Sequence, residues 1–364
     1  MRTTLPDSYR DLSDDELSRR ILEAKRRLGG DLLILGHYYQ REEVVRFADR
    51  EGDSFELARS GAASEARHIV FCGVHFMAEA SVVLARPGQR VFLPNMDAGC
   101  PLSDMARADD VALAWDALSR CGVADRFVPI TYMNSSAALK AFCGRMGGLV
   151  CTSSSADRAF MWAMGQGKRV FFFPDENLGS NTLGSLSTRT REGGAGEIDL
   201  SAVVAWDPGL PGGGLHAGQL AAAPAILWKG HCHVHTLFTT EHVKEMREKN
   251  PGCKILVHPE CRPEVVAASD GAGSTSYLKR HAEETPEGST IVIGTEINLV
   301  SRLARSMPGK RILPLARSLC PNMFRTSPAD LLFTLEEIGK VNEVLVPGDV
   351  ARDAKVALQR MLSL

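Results

Sequence analysis

The chain has 364 residues, 44% of them hydrophobic, which is enough for two or three units that each bury a core. The formal net charge is -2 and the pI is about 6.6, so no overall basic field favours nonspecific binding to nucleic acid or an anionic membrane. The charged N-terminus and the lack of a run of about 18 apolar residues predict a cytoplasmic protein without a signal peptide or membrane span.

The first predicted element is a helix over residues 14–28. Leu17, Ile21 and Leu28 recur at near-helical spacing, Ser13 is a suitable N-cap, and Gly29 follows. After this helix, short apolar runs rich in Val, Ile, Leu and Phe alternate with amphipathic stretches. This alternation is typical of βαβ units that build buried parallel sheets. The sequence therefore predicts an α/β fold.

The apolar runs fall into three sets with a related plan. The first set contains DLLILGHYY, HIVFCGVHF and RVFLPNMDAGC. The second contains RFVPITYMN, GGLVCTSSS and RVFFFPDEN, with AILWKGHCHVH following, and the third contains CKILVHPEC, TIVIGTEIN and RILPLARSLC. In each set the first run leads directly into polar residues, and a cysteine follows the last run. This recurrence predicts three small parallel sheets.

The same plan predicts three α/β domains, over residues 1–106 with Cys100, 107–240 with Cys232, and 241–326 with Cys320. Between about 180 and 224 the chain is rich in glycine and other small residues. We interpret this stretch as an inserted, partly flexible surface loop. Two amphipathic stretches in 327–364 predict C-terminal helices that pack back on the domains.

The chain has nine cysteines, a large number for a compartment in which structural disulfides rarely persist. Most are expected to be small buried hydrophobic residues. Cys100 and Cys320 each precede a proline at a predicted helix start, where the helix dipole and free amides favour a thiolate. Cys232 lies in GHCHVH, which taken locally resembles a zinc site. Three thiolates from distant segments also suit a [4Fe-4S] cluster with one open iron, although spacing alone does not separate this from a chance set of core cysteines.

Polar residues follow several of the predicted strands. Ligands of open parallel sheets bind at the carboxyl ends of the strands. If the three sheets direct these ends at one another, the polar residues and the three cysteines share one cleft. Each also has a purely structural interpretation, such as a capped turn for HPE or a helix N-cap for GSTS. The residues concerned are His37, Tyr39, Tyr132, Asn134, His258 and Glu260.

A series of strings between Gly36 and Met323 resembles the quinolinate synthase family. The resemblance implies three similar three-layer α/β/α domains, with small parallel sheets arranged around a pseudo-threefold axis and the cluster and active site at the centre. In chain order the strings are GHYYQ, GDSFELAR, NMDAGCPLSDM, TYMNSSAALKA, CTSSSA, FFPDENLGSNT, WKGHCHVH, HPEC, GSTSYL, GTEINLV and CPNM.

The resemblance also implies an activity. Members of this family condense iminoaspartate with dihydroxyacetone phosphate to form quinolinate, a precursor of NAD, and release phosphate and two waters. The implied cofactor is a [4Fe-4S] cluster on Cys100, Cys232 and Cys320, whose open iron acts as a Lewis acid. A functional link to an L-aspartate oxidase or aspartate dehydrogenase that supplies the imine is expected, and neither nucleic acid nor a membrane is expected as a partner.

The family's site residues carry over wherever its motifs match. The implied catalytic residues are Glu260, the best candidate general base, with Tyr39, Tyr132 and His235. Cys261 follows Glu260 directly but lies outside the implied ligand set. The implied substrate-binding residues are His37, Ser54, Tyr132, Asn134, Ser153, His258, Glu260 and Thr275. The cysteines predicted to be structural are Cys72, Cys121, Cys143, Cys151 and Cys253.

Two other functions fit the same features. The first is another [4Fe-4S] lyase or reductase of trilobed fold, which as a reductase needs a supply of electrons. The second is an iron or redox sensor in which the cysteines only register iron or oxygen. A sensor usually carries a surface for nucleic acid or a partner, and the sequence has no basic stripe of that kind.

Overall fold

The computed structural model describes residues 5–192 and 198–364. The protein is α/β, and its strands form three small sheets that are parallel throughout. The predicted fold class is therefore confirmed. The arrangement of the sheets around a pseudo-threefold axis stays a prediction.

The three sheets share a plan, in which the first strand of each sheet in chain order pairs with the second strand on one side and with the third on the other. The first sheet has the order β2-β1-β3-β4 and consists of β1 Leu32–His37, β2 Arg50–Gly52, β3 His68–Cys72 and β4 Arg90–Phe92. The second has the order β6-β5-β7-β9-β8 and consists of β5 Phe127–Tyr132, β6 Leu149–Cys151, β7 Arg169–Phe173, β8 Val204–Trp206 and β9 Ala225–Trp228. The third has the order β11-β10-β12-β13 and consists of β10 Lys254–Val257, β11 Gly271–Ala272, β12 Thr290–Gly294 and β13 Arg311–Pro314.

Helices connect and flank these strands. In the first half of the chain they are α1 Asp7–Arg10, α2 Asp14–Leu28, α3 Glu42–Val45, α4 Ser54–Ala63, α5 His75–Leu84, α6 Pro101–Asp104, α7 Ala108–Arg120, α8 Ala137–Arg145 and α9 Ala156–Gly165. In the second half they are α10 Glu176–Glu192, α11 Ala217–Ala222, α12 His233–Thr236, α13 Thr240–Lys249, α14 Pro263–Ala268, α15 Thr275–Glu284, α16 Ile297–Ser306, α17 Pro328–Glu336 and α18 Gly348–Leu362. Within the described ranges, no helix combines the length and the apolar character that crossing a bilayer requires.

The chain forms two compact units. The first comprises residues 1–100, 296–308 and 317–347 and contains the first sheet. The second comprises residues 101–295, 309–316 and 348–364 and contains the other two sheets. The predicted domain boundaries near residues 106, 240 and 326 stay predictions.

The predicted first helix is confirmed as α2. The Ser13 hydroxyl accepts a hydrogen bond from the Glu16 amide at 3.3 Å, and the chain leaves the helix at Gly29 with φ 52°, a conformation that favours glycine. The apolar face of the helix, with Leu17 and Ile21, packs in the core of the first unit together with residues of α17.

The two amphipathic stretches predicted near the C-terminus are the helices α17 and α18. In the second unit α18 packs closely on α8, which is possible because Gly144 of α8 has no side chain. A Cβ at this position would lie only 2.0 Å from the Asp353 carbonyl oxygen of α18. Arg360 donates to the carbonyls of Gly144 and Gly148 at 3.1 and 2.7 Å. This helix pair covers the edge strand β6 of the second sheet.

The prediction of an irregular loop over 180–224 is wrong for much of the described part of this segment. Helix α10 extends through residue 192, and β8 pairs with β9 in the second sheet. One of the small residues of α10 allows close packing, since a Cβ on Gly179 would lie 2.7 Å from a methyl carbon of Leu227 and 2.9 Å from the Phe172 ring. Residues 193–197 of the predicted loop lie outside the described residues.

Candidate functional site

A buried pair of side chains, Tyr132 and Glu260, stands at the strand ends of the second unit. Tyr132 is the last residue of β5, and Glu260 lies in the turn that follows β10. They are 5% and 2% exposed, and the Tyr132 hydroxyl donates a 2.6 Å hydrogen bond to Oε1 of Glu260. The structure thus brings together two residues that are 128 positions apart in the sequence, both predicted for the site.

Two histidines lie against this carboxyl group. His235 Nε2 is 3.9 Å from Glu260 Oε2, and His258 Nδ1 is 3.6 Å from Glu260 Oε1. The imidazole rings of His235 and His258 stack with centroids 4.4 Å apart and planes 18° apart. The Nδ1 atom of His258 also accepts a hydrogen bond from the Glu260 amide at 3.3 Å, which leaves the ring proton on Nε2.

Burial keeps both imidazoles neutral. It lowers the pKa of His258 to about 3. Burial also lowers the pKa of His235 well below its ordinary value, and nearby His258 and His233 lower it further. The close approaches to Glu260 are therefore contacts between neutral rings and a carboxyl group rather than ion pairs. Neutral imidazole can donate or accept one hydrogen bond at each ring nitrogen.

Glu260 titrates near neutrality. Burial raises the pKa of Glu260 to about 7, against the opposing hydrogen bonds from Tyr132 and Cys232. A carboxyl group with this pKa exchanges its proton readily at neutral pH, which is what general acid–base catalysis requires. The predicted role of Glu260 as general base stays a prediction, and this geometry and charge state favour it.

Cys232 completes the group. Its Sγ atom, a ring nitrogen of His235 and a carboxylate oxygen of Glu260 all lie within 4.8 Å of one another. Cys232 is the N-cap residue of α12, and its side chain is partly exposed. Taken locally, these three donors suit a zinc ion as well as the thiolate corner of a larger centre.

The turn that carries Glu260 is held by a residue that we did not predict. Asn181, on the second turn of α10, donates both amide hydrogens, one to the Pro259 carbonyl and one to the Cys261 carbonyl, each at 2.8 Å. These carbonyls are the immediate neighbours of Glu260 in the chain. Cys261 itself is fully buried in an apolar cluster with residues such as Val257, and its predicted position outside the ligand set stays a prediction.

The loop after β5 is held by a buried lysine. Lys140 is 0% exposed, and its ammonium group donates to the Met133 carbonyl at 2.8 Å and to the Ser135 carbonyl. These carbonyls bracket Asn134, one of the predicted substrate-binding residues. This role could not be predicted from the sequence, because a lysine in a helix is ordinarily solvent-exposed.

In the first unit, His37 and Tyr39 lie together at the end of β1. The His37 Nδ1 atom accepts a hydrogen bond from the Tyr39 amide at 3.1 Å, and the two rings meet edge to face with centroids 5.0 Å apart. Burial, helped by nearby Arg302, lowers the pKa of His37 to about 3, so this imidazole is neutral. The same bond from residue i+2 to Nδ1 of a histidine occurs at His258 and Glu260.

Helix α16 fixes the backbone around Tyr39. The side chain of Asn298 donates to the Tyr39 carbonyl at 3.1 Å. Arg302 donates to the Gln40 carbonyl at 2.9 Å and also to the Tyr38 carbonyl. The predicted site residue Tyr39 is thus positioned by Asn298, which lies in the GTEINLV string, and by Arg302, which follows that string. Neither residue is among the predicted site residues.

The other predicted substrate-binding residues also lie at strand or helix ends. Ser54 and Thr275 are the first residues of α4 and α15, and both are buried. Ser274 is the N-cap of α15 and accepts a hydrogen bond from the Tyr277 amide at 3.3 Å, so the helix-cap interpretation of GSTS is correct. Asn134 and Ser153 follow β5 and β6 and are partly exposed. Their contacts with substrate stay predictions.

Solvent exposure separates the nine cysteines into classes. Cys121 is exposed at the end of α7. The three predicted ligands form a class of their own, since Cys100, Cys232 and Cys320 have intermediate exposure. The buried cysteines are Cys72, Cys143, Cys151, Cys253 and Cys261. A metal ligand needs access to its ion, and the intermediate class suits that role better than the buried one.

One detail of the prediction for these cysteines is wrong. Helix α6 begins at Pro101, directly after Cys100, as expected. After Cys320, however, the chain forms a turn and then only a short 3₁₀ helix, Met323–Arg325. Burial raises the pKa of Cys320 above its ordinary value, and the amides of Met323 and Asn322 only partly oppose this rise. In the absence of a metal, this thiol is therefore not a stabilised thiolate.

One backbone hydrogen bond recurs at all three cysteines. The amide of the first residue in a helix donates to the carbonyl two positions before the cysteine. The three bonds are His75 to Ala98 at 2.8 Å, Glu176 to Gly230 at 2.9 Å, and Ile297 to Ser318 at 2.8 Å. In each case the helix follows one strand, and the cysteine follows the neighbouring strand of the same sheet. Cys100, Cys232 and Cys320 therefore occupy equivalent places in the three sheets.

The chain was compared with known proteins. The family model described as Quinolinate synthetase A protein matches residues 19–363. A quinolinate synthase of Acidobacterium capsulatum is 47% identical over 366 residues, covering 98% of this chain and 95% of the relative. A quinolinate synthase of Streptomyces coelicolor is 47% identical and covers 97% of this chain and 89% of the relative. One of Bacillus cereus is 43% identical and covers 100% and 97%. The chain belongs to the quinolinate synthetase A protein family.

Proposed function

We propose that this chain is a quinolinate synthase that condenses iminoaspartate with dihydroxyacetone phosphate. The products are quinolinate, phosphate and two waters, and the reaction contributes to NAD biosynthesis in the cytoplasm. The observation that carries this proposal is the buried constellation of Tyr132, Glu260, His235 and His258 beside the partly exposed thiol of Cys232. Family membership and the curated relatives support it.

The proposed cofactor is a [4Fe-4S] cluster on Cys100, Cys232 and Cys320. Their shared exposure class and the recurring backbone hydrogen bond support this ligand set, because they distinguish these three cysteines from the other six. When bound, such a cluster supplies an open iron that acts as a Lewis acid toward carboxylate, imine or hydroxyl groups. A zinc ion on Cys232, His235 and Glu260 would leave the other two cysteines of the class without a role.

The chain's own residues supply the proton transfers. Ring formation requires removal of protons from carbon and protonation of departing hydroxyl groups, which Glu260 can perform because its pKa is about 7. The Tyr132 hydroxyl holds Oε1 of Glu260 and so orients the carboxyl group. The imidazoles of His235 and His258 stay neutral, and His258 has an Nε2 proton to donate to an anionic substrate group. Dense burial excludes water from these steps.

A test of the activity uses anaerobic protein reconstituted with iron and sulfide. Iminoaspartate is generated in place by an aspartate-oxidising enzyme, dihydroxyacetone phosphate is added, and quinolinate and phosphate are quantified without any reductant supply. We expect equal amounts of the two products. A requirement for continuous electron supply would favour the reductase alternative, and absence of quinolinate from cluster-loaded protein would refute the proposal.

Glu260→Gln separates an enzyme from a sensor. This variant should lose turnover, because a glutamine cannot exchange the proton, while it keeps its iron and sulfide content. Glu264→Gln is the matched control, since Glu264 lies on α14 a few residues further along and is exposed. Full activity of Glu260→Gln would contradict the proposed role of Glu260.

Cys100→Ala tests the ligand set. We expect this variant to lose most of its iron and sulfide after anaerobic purification. The exposed Cys121 provides the control, and Cys121→Ala should bind the wild-type amount. A full cluster in Cys100→Ala would show that the ligand assignment is wrong.

A further inference from the structure

Three helices begin at equivalent places in the three sheets. The residues just before α5, α10 and α16 are Val74, Asp175 and Glu296. Each helix follows a strand, β3, β7 or β12, whose neighbour on one side is β4, β9 or β13. Those neighbours lead to the three cysteines of the proposed cluster. We call Val74, Asp175 and Glu296 the cap residues. Two of the three are carboxylates.

Glu296 binds more than its own helix. Its Oε2 atom accepts a hydrogen bond from the Asn298 amide at 2.7 Å, as a helix cap does. Its Oε1 atom accepts one from the backbone amide of Cys320 at 3.4 Å. Glu296 is 0% exposed, and the donors of both hydrogen bonds belong to the same unit as Glu296, the first unit. One carboxylate therefore ties the start of α16 to the backbone of a proposed ligand.

Asp175 occupies the same position in the second sheet. Its Oδ1 atom accepts a 2.8 Å hydrogen bond from the Leu178 amide in the first turn of α10. The Cys232 backbone amide is close enough to this carboxyl group to oppose the rise that burial causes in its pKa. Among the described residues, Oδ2 of Asp175 has no hydrogen-bond partner. The two loops pack so closely that a Cβ on Gly230 would lie 2.3 Å from the Pro174 carbonyl oxygen. Asp175, like Glu296, is 0% exposed.

The third cap residue shows that the helix start does not require a carboxylate. Val74 has no side-chain hydrogen bond to α5, yet α5 forms in the same place and makes the same bond from its first amide to the cysteine loop. Burying a carboxylate costs several kcal/mol unless its hydrogen bonds compensate. A cap alone contributes only about 1 kcal/mol. What the two carboxyl groups have in common is an additional interaction with the backbone of a proposed cysteine ligand.

We propose that Asp175 and Glu296 are positioning residues that fix the backbones of Cys232 and Cys320, so that their sulfur atoms are held where the cluster would bind. This inference rests on the proposed function, because it requires these cysteines to be ligands. Partners that orient metal ligands typically affect metal affinity about 10- to 100-fold when mutated. In the loop of Cys100, where the cap residue is Val74, the backbone hydrogen bond from His75 to Ala98 forms without a carboxyl cap residue.

The test compares Glu296→Ala and Asp175→Ala with Val74→Ala, the matched change at the cap residue that lacks a carboxylate. Each full-length protein is reconstituted anaerobically with iron and sulfide. The rate of iron release to a ferrous chelator is then followed, together with the Tm of the cluster-loaded and cluster-free forms. Glu296→Gln and Asp175→Asn are included because they keep the side-chain shape and one acceptor oxygen.

We expect iron release to be about 10- to 100-fold faster in both carboxylate-to-alanine variants and near the wild-type rate in Val74→Ala. The amide variants should release iron at intermediate rates. The rise in Tm on cluster binding should shrink in the carboxylate variants, whereas loss of a helix cap alone would lower both Tm values equally. Release at the Val74→Ala rate would overturn this inference alone. A wild-type protein that assembles no cluster would instead overturn the proposed function and this inference with it.

Discussion

Asn181→Ala should reduce both the stability and the turnover of the protein. The substitution removes two hydrogen bonds of 2.8 Å and leaves the carbonyls of Pro259 and Cys261 without these donors. Each lost bond to a buried carbonyl costs about 1–2 kcal/mol, so the free energy of unfolding should fall by roughly 2–4 kcal/mol. For a chain of 364 residues, with an unfolding entropy of about 2.1 cal/mol/K per residue, that corresponds to a fall in Tm of about 3–5 °C.

The effect on turnover follows from the position of Glu260 between the two carbonyls. Once they are released, the turn can shift the carboxylate away from Tyr132, which holds Oε1 of Glu260 at 2.6 Å. A displacement near 1 Å at a reacting group costs about 100-fold in rate. We therefore expect kcat to fall by about that factor and KM to change much less, since Asn181 is assigned no contact with substrate. Steady-state kinetics of cluster-loaded protein measures both constants.

A buried asparagine in the same unit provides the control. Asn250 ends α13 in the same unit, is 7% exposed, and donates its side-chain amide to the Met246 carbonyl at 3.2 Å. Asn250→Ala should cost about 1 kcal/mol of stability and leave kcat unchanged. If Asn181→Ala loses stability but keeps the kcat of Asn250→Ala, the turn does not depend on Asn181 for its catalytic geometry.

Three further predictions concern the site and its supports. Tyr132→Phe removes a hydrogen bond that lowers the pKa of Glu260. Because the base acts when deprotonated, the rising limb of the kcat/KM profile near pH 7 should move up by about 1–2 pH units. A downward move would contradict the assignment. Gly230→Ala places a Cβ 2.3 Å from the Pro174 carbonyl oxygen, so this variant should have both a lower Tm and a lower iron content. An unchanged Tm would show that the loops are not packed as described. Ser13→Ala removes the cap of α2 and should lower the free energy of unfolding, measured by denaturant titration, by about 1 kcal/mol without affecting kcat. A change in kcat would link this helix to catalysis.

The strands that the sequence predicts are the ones that lie inside the sheets or carry long apolar runs. All ten apolar runs contain a strand. The strands β2, β8 and β11 were missed because each has only two or three residues at a sheet edge, where one neighbouring strand and partial exposure leave no continuous apolar pattern. Helix α10 was missed because glycine and serine have weak helix propensity, and the close packing of Gly179 on the second sheet is visible only in the structure.

The site residues divide in a similar way. Tyr132, His258 and Glu260 could be predicted because chemistry in parallel sheets concentrates at strand ends. Asn181 and Glu296 could not, because their roles depend on backbone groups far along the chain: Asn181 binds carbonyls 78 and 80 positions away, and Glu296 binds the amide of Cys320, 24 positions away. A backbone partner leaves no residue-type signal in a single sequence. The helix-cap pattern is the one local sign that such a residue gives.

Burial gives the site its charge state through two opposite effects. Desolvation penalises the charged form of any group, so it raises the pKa of Glu260 to about 7 and lowers that of His258 to about 3. Between these values Glu260 is mainly protonated and His258 neutral, and as the pH rises through 7 the only charge that appears in this pair is the carboxylate. Had the imidazole been charged, it would have stabilised the carboxylate and lowered the pKa of Glu260 toward its ordinary value, which would leave a weaker base. Keeping the histidines neutral is therefore a condition for Glu260 to act as a base near neutral pH.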